Sequence, residues 1–284
     1  MSLDEWVSQQ GVGTREAKQL VLLARKYNLS SRELKALLSS PKRQPTKSYR
    51  FNGKDVLYGV ISDTHIGHQC FDRGLLRTAI KHFNKEKVDF VLHGGDICEG
   101  LYTNRPGHVF ELDEIGADAQ VDCAIGELSE IKAPIFAITG NHTWNTFWKM
   151  SGYDVGRRFE ENIPNFNYLG NADGTVELDR GVKIQMLHPD GGTAYAISYR
   201  TQKIIESIEG GKKPDIMHVG HFHKAEYLFY RNVHAFQNGC LQSQTPFMKG
   251  KHIPAHKGFW IIRATLGRNR GVVKINPTFH PAYD

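Results

Sequence analysis

No run of about 18 apolar residues occurs in this 284-residue chain, so no membrane-crossing helix is expected. Its start, MSLDEWVSQQ, lacks the basic-then-apolar order of a secretory leader. Cysteine is scarce. Cys70, Cys98, Cys123 and Cys240 form no CxxC pair and no regular framework. That argues against a disulfide scaffold and against zinc held by thiolates, and it reads as reduced thiols in a cytoplasmic setting. Internal repeats and low-complexity tracts are absent too. With 40% hydrophobic and 23% charged residues, the composition is that of an ordinary globular protein. The length suits one large α/β domain with a small appendage.

Histidine is abundant instead, with 14 copies, several beside Asp, Asn or Gly, as in a site of imidazole and carboxylate. Charge is uneven. Residues 1–50 hold ten Lys or Arg against four Asp or Glu, and the other 234 residues hold 26 of each sign. The net charge of +6 therefore belongs to the N-terminal segment. Residues 1–40 read as helical, with capping-box pairs Ser2/Glu5 and Ser30/Glu33 around an apolar stripe of Ala17, Leu20, Val21 and Ala24. Such a segment is either a helix-turn-helix that holds nucleic acid or a helical hairpin with a solvated basic face. Residues 41–54, with Pro41, Pro45 and a cluster of basic residues, read as a linker.

From residue 55 to 284 the pattern becomes strand and helix in alternation. Apolar strands are expected at 56–61, 88–93, 134–139, 182–187 and 215–219, and further strands at 227–230, 233–238, 258–264 and 272–277. Helices are expected at 73–86, 113–131 and 194–209. Units of this kind build a largely parallel sheet covered by helices. The first five strands each end in a polar cluster: Asp63-Thr64-His65, Gly95-Asp96, Gly140-Asn141-His142, His188, and Gly220-His221-Phe222-His223. Ligands of open α/β sheets bind beyond the carboxyl ends of the strands, so the five clusters should converge on one crevice. Two carboxylates, one amide oxygen and four imidazoles are too many ligands for one ion. They suit two divalent ions, Mn²⁺ first, with Fe or Zn²⁺ as alternatives.

In order, DxH, GGD, GNH, a lone His and GHxH resemble the signature of the calcineurin-like metallophosphoesterases, over about residues 56–225. That superfamily includes purple acid phosphatases, Ser/Thr protein phosphatases, cyclic-nucleotide phosphodiesterases and exonucleases of double-strand-break repair. The resemblance implies a four-layer α/β/β/α sandwich, here with a small N-terminal helical segment. It implies that Asp63, His65 and His223 bind one metal, that Asn141, His188 and His221 bind a second, and that Asp96 bridges them. A metal-bridging hydroxide would then attack phosphorus in line, and His142 would protonate the leaving group.

Two departures stand out. Thr143 replaces the acidic residue that often follows GNH. Glu99 falls where protein phosphatases carry an Asp and could orient His142, but the Arg that follows there is missing, which counts against a protein phosphatase. His93 and His218 read as core residues, and His82 as a helix-surface residue. His68 could reach substrate, and His108, His252 and His256, in loops with Arg105, Lys249, Lys251 and Lys257, read as solvated loop residues, with phosphate contact as the alternative. Trp144, Phe147 and Trp148 form either a base-stacking surface or a small apolar cap. The doubled glycine of GGD, a one-sheet layout of GNH, His and GHxH, and the basic N-terminus favour a nuclease acting on phosphodiesters. A nucleotide or cyclic-nucleotide phosphoesterase is the alternative, followed by a protein phosphatase and a non-catalytic binding module.

Overall fold

The computed structural model describes residues 21, 22, 26, 47–50, 53–268 and 271–283. The chain divides into two compact units, Met1–Arg43 and Gln44–Asp284. In the first, Val21, Leu22 and Lys26 are helical. The other positions of the expected helix-turn-helix, including both capping boxes, lie outside the described residues.

The larger unit holds two six-stranded sheets. One contains β2 (Asp55–Ile61), β3 (Phe90–Gly94), β4 (Ile135–Ile138), β5 (Phe166–Gly170), β11 (Gly258–Leu266) and β12 (Val272–Pro281), in the order β12-β11-β2-β3-β4-β5. The other contains β1 (Lys47–Tyr49), β6 (Asp173–Leu178), β7 (Lys183–Leu187), β8 (Ile216–Val219), β9 (Ala225–Tyr230) and β10 (Val233–Asn238), in the order β1-β6-β7-β8-β10-β9. Both sheets are mixed. β2, β3, β4 and β5 run parallel while β11 and β12 close that sheet antiparallel, and β7, β8 and β10 form the parallel centre of the other.

Period-2 alternation explains the layering. Val56, Tyr58 and Val60 of β2 face the inter-sheet core with Phe90, Leu92, Val176, Ile184, Ile216 and Phe236. The alternate residue Ile61 and its neighbours Val91, Ile135 and Ala137 face helices on the outside. Those helices are α1 (Arg73–Glu86), α2 (Ala117–Leu128) and α3 (Val155–Asn162). α1 starts where Asp72 accepts the Leu75 N–H, and it buries Leu75, Leu76, Ala79, Ile80 and Phe83, which recur at helical spacing. On the far side, Met217 and Val219 of β8 pack with Ile205 of α4 (Tyr199–Ser207). The result is the expected four-layer α/β/β/α sandwich. Among the described residues no helix is long and apolar enough to cross a membrane.

Several expectations need correction. The single largely parallel sheet is two mixed sheets, and the five ligand-bearing strand ends are split, with β2, β3 and β4 in one and β7 and β8 in the other. Lys47–Tyr49, expected in the linker, pair in parallel with Val176, Glu177 and Leu178. The helix expected over 113–131 begins later, because the Asp113 and Glu114 N–H groups donate to the Gly67 carbonyl instead. β5 and β6 add two strands that no apolar run announces: FNYLG and DGTVEL mix polar residues and glycine into strands that owe their place to neighbours.

His218 lies buried between the sheets. Its Nδ1–H donates to Asn238 Oδ1 at 3.0 Å, and Nε2 accepts from the Tyr58 hydroxyl at 3.2 Å. Burial pushes its pKa down to about 4 from 6.5, only partly offset by Asn238. A depressed imidazole adds stability above the unfolded value and loses it as pH falls toward the folded value, roughly 3 kcal/mol in full. Urea unfolding between about pH 7 and pH 5 should show stability falling with pH, and the fall should be shallower in His218→Phe. An identical pH slope in both proteins would contradict this.

Candidate dimetal active site

Five side chains of the strand-end clusters sit on left-handed backbone: Asp63 (φ 51°), His65 (49°), Asp96 (47°), His221 (75°) and His223 (52°). None is glycine, so each costs on the order of 1–2 kcal/mol and persists because surrounding bonds hold it. The Asp63 N–H donates to the Gly95 carbonyl at 2.9 Å, the His65 N–H to the Asp96 carbonyl at 3.0 Å, and the Asp96 N–H to the Thr139 carbonyl at 3.0 Å. The turns after β2, β3 and β4 thus fasten one another. The His221 N–H donates to Asp63 Oδ1 at 2.9 Å, which ties the second sheet to the first.

The side chains form two triads, each with its donor atoms within 4.8 Å of one another: Asp63 with His65 and His223, and Asp96 with His188 and His221. Second partners fix which imidazole nitrogen is free. His65 Nδ1–H donates to Glu99 Oε2 at 2.7 Å, so its Nε2 lone pair points at His223 Nε2, 3.0 Å away. His188 Nδ1–H donates to the Gly94 carbonyl at 2.8 Å, which leaves its Nε2 lone pair 2.9 Å from Asp96 Oδ2. His221 Nε2–H donates to the Gly191 carbonyl at 2.7 Å.

Asp63 is fully buried and Asp96 is 1% exposed, and neither has a Lys or Arg partner among the described residues. Burial opposes ionisation of both. The hydrogen bond from His223 and the charges of His188 and His223 nevertheless hold Asp63 down at about 2, and His188 and His142 hold Asp96 well below the carboxylate range. Asn141 Oδ1 is buried without a hydrogen-bond partner. Imidazole nitrogens, two buried carboxylates without a Lys or Arg beside them among the described residues, and an orphaned amide oxygen together make a donor set suited to cations. The donor set of the two triads and Asn141 fits two divalent ions.

His142 stands beside the triads. Its N–H donates to Asp96 Oδ1 at 2.9 Å and its Nδ1–H to the Glu99 carbonyl at 2.8 Å, which turns Nε2 toward a cleft of about 460 Å³. Burial lowers its pKa, but Glu99 and Asp96 outweigh that and raise it to about 10. The Glu99 carboxylate mainly engages His65 and His108, with Oε1 accepting from His108 Nε2–H at 2.9 Å. Its oxygen lies 3.3 Å from His142 Nδ1, so it touches His142 as well.

His108 is buried at 5% exposure, not a solvated loop residue, and no local sequence pattern announces its long reach to Glu99. His68 lines the cleft, with Nδ1 accepting from the Cys70 N–H. His93 and His218 are core residues. His256 bonds the Ala225 N–H and, like His252, does not line the cleft. Trp144 and Trp148 stack on each other at 5.4 Å and line a separate small hollow with Tyr153 and Tyr168, which is the apolar-cap arrangement.

Gly95 (φ 104°) has no room for a side chain: a Cβ there would overlap the His188 ring. Gly95→Ala should cost ~2–4 kcal/mol through backbone strain and overpacking. Chemical unfolding measures this, and a variant as stable as wild type would contradict the packing described.

The calcineurin-like phosphoesterase family profile matches residues 57–245. The DNA polymerase II small subunit of Methanothermobacter thermautotrophicus is 24% identical over 280 residues, covering 80% of this chain and 55% of that protein. The chain therefore spans about half the length of that relative. Among solved structures, an archaeal phosphodiesterase superposes with a TM-score of 0.47 at 18% identity, covering 79% of this chain and all of that one. Vps29 of Cryptosporidium parvum does so with a TM-score of 0.42 at 13% identity, covering 82% of this chain and all of that one. With the profile spanning the strand-end clusters from Asp63 to His223, the chain belongs to the calcineurin-like phosphoesterase family.

Proposed function

We propose that the protein is a nuclease: a phosphodiesterase that cleaves nucleic acid, with two Mn²⁺ ions held by Asp63, His65, Asp96, Asn141, His188, His221 and His223. The observation that carries this reading is a cleft of about 460 Å³ lined by His65 and His223 of one triad, Asp96 and His221 of the other, and His142. A cleft of that volume has room for a nucleotide unit of a strand. The basic N-terminal segment supports a polyanionic partner, and so does a relative named as a DNA polymerase subunit. The one-sheet motif layout gives no support, since the motifs come from two sheets. In this reading residues 1–40 form a nucleic-acid-binding helical unit, and the catalytic unit includes β1 (Lys47–Tyr49) as well as residues 55–284, which shortens the connector expected over 41–54. The cysteines are free thiols, which supports a cytoplasmic enzyme.

The bound cations would neutralise the phosphoryl oxygens and acidify the attacking water. Asp96, between the triads, would fix their spacing. His142, fastened through its own N–H and Nδ1–H, would hold a proton on Nε2 for the departing ester oxygen. Glu99 would position His142 and His65 from behind. Because His142 must be protonated, turnover should fall as pH rises through its pKa, and the cations beside it should place that fall below about 10.

The test is hydrolysis of bis-p-nitrophenyl phosphate beside p-nitrophenyl phosphate with Mn²⁺, followed by labelled DNA and RNA. Diester preference with cleavage of a polynucleotide is expected. His142→Ala should lower kcat on a diester by roughly 10²–10⁴ while bound metal is retained. Strong monoester preference would count for the nucleotide reading, and loss of metal from His142→Ala would overturn its role.

A further inference from the structure

We propose that Arg105 forms a second phosphate subsite, holding the phosphate next to the scissile one on the leaving-group side of a polynucleotide. The inference rests on the nuclease reading and says where the strand lies. Among the described residues that line the cleft, Arg105 is the one Lys or Arg. It is exposed and has no carboxylate partner among the described residues, although Glu111 and Asp190 line the same cleft. An unpaired guanidinium in a cleft that must accept anions is suited to phosphate oxygens, which its planar fork can meet in pairs.

Its position is built. The Arg105 guanidinium lies over the Tyr102 ring at 4.4 Å, and the Tyr102 ring stands edge-on to His142 at 5.2 Å and 90°. Arg105 is thus two ring steps from the group that faces the leaving oxygen, on that side of the cleft. The loop is held from below. The Arg105 N–H donates to the Tyr102 carbonyl at 3.1 Å, and the His108 N–H donates to the Arg105 carbonyl at 2.9 Å. The Tyr102 N–H donates to His108 Nδ1 at 3.2 Å, and His108 Nε2–H donates to Glu99. One buried carboxylate therefore orients His65 and His142 and also anchors the loop that carries Arg105. A small aryl diester has one phosphate and cannot use the subsite. A strand with a neighbouring phosphate can.

The experiment compares full-length wild type, Arg105→Gln and Arg105→Lys, loaded with Mn²⁺, on a single-stranded oligonucleotide and on bis-p-nitrophenyl phosphate. For Arg105→Gln the oligonucleotide KM should rise about tenfold while kcat stays within about twofold, and its preference for oligonucleotide over aryl diester should fall accordingly. Arg105→Lys should recover part of the loss. The slope of log KM against log salt should shrink by about 0.7, the share of one phosphate contact on a single strand. An unchanged oligonucleotide KM, or an equal loss on both substrates, overturns the subsite. A wild type that cleaves the aryl diester and leaves the oligonucleotide whole overturns instead the nuclease reading beneath it.

Discussion

Two carboxylates, Asp63 and Asp96, lie buried at the junction of two sheets without a Lys or Arg to pair with among the described residues. An isolated buried carboxylate costs several kcal/mol and ordinarily gives up its charge. Here the surroundings do the reverse and press both to remain ionised, through backbone N–H donors and imidazoles turned toward them. The arrangement is suited to positive charge at the centre. The other features of the site accord with that: histidines whose outer nitrogens are tied back, an amide oxygen without a partner, and Asp63, His65, Asp96, His221 and His223 held on left-handed backbone.

The fold supplies what that arrangement needs. Parallel central strands bring their carboxyl ends to one edge of each sheet, and the inter-sheet core of Tyr58, Phe90, Ile184 and Phe236 presses the two edges together. Backbone bonds between successive turns then fix the strand-end side chains to one another instead of leaving them on independent loops. Rigidity here is a condition of function, since displaced ligands would lose the convergence of lone pairs.

Much of this was legible in the sequence because the informative segments are local. Asp63-Thr64-His65 or Gly220-His221-Phe222-His223 each follow an apolar strand directly, and their convergence needs only the rule that parallel strands end together. What could not be read depends on distant partners. Whether β4 and β7 share a sheet is decided by long-range pairing, so the one-sheet expectation failed. His108 resembles any loop histidine until its contact with Glu99 is seen. β1 sits in a stretch of prolines and basic residues, and it is a strand because β6 offers it an edge. The roles of Trp144 and Trp148 were open for the same reason: only packing distinguishes a stack on each other from a platform for a base.

The most direct test of the account is anomalous diffraction at the manganese edge from crystals grown with Mn²⁺. The account predicts two peaks about 3.5–4 Å apart. One should lie among Asp63, His65 and His223, the other among Asn141, His188 and His221, with Asp96 between them. A single peak, or peaks away from these residues, would contradict a dimetal centre built from the ends of five strands.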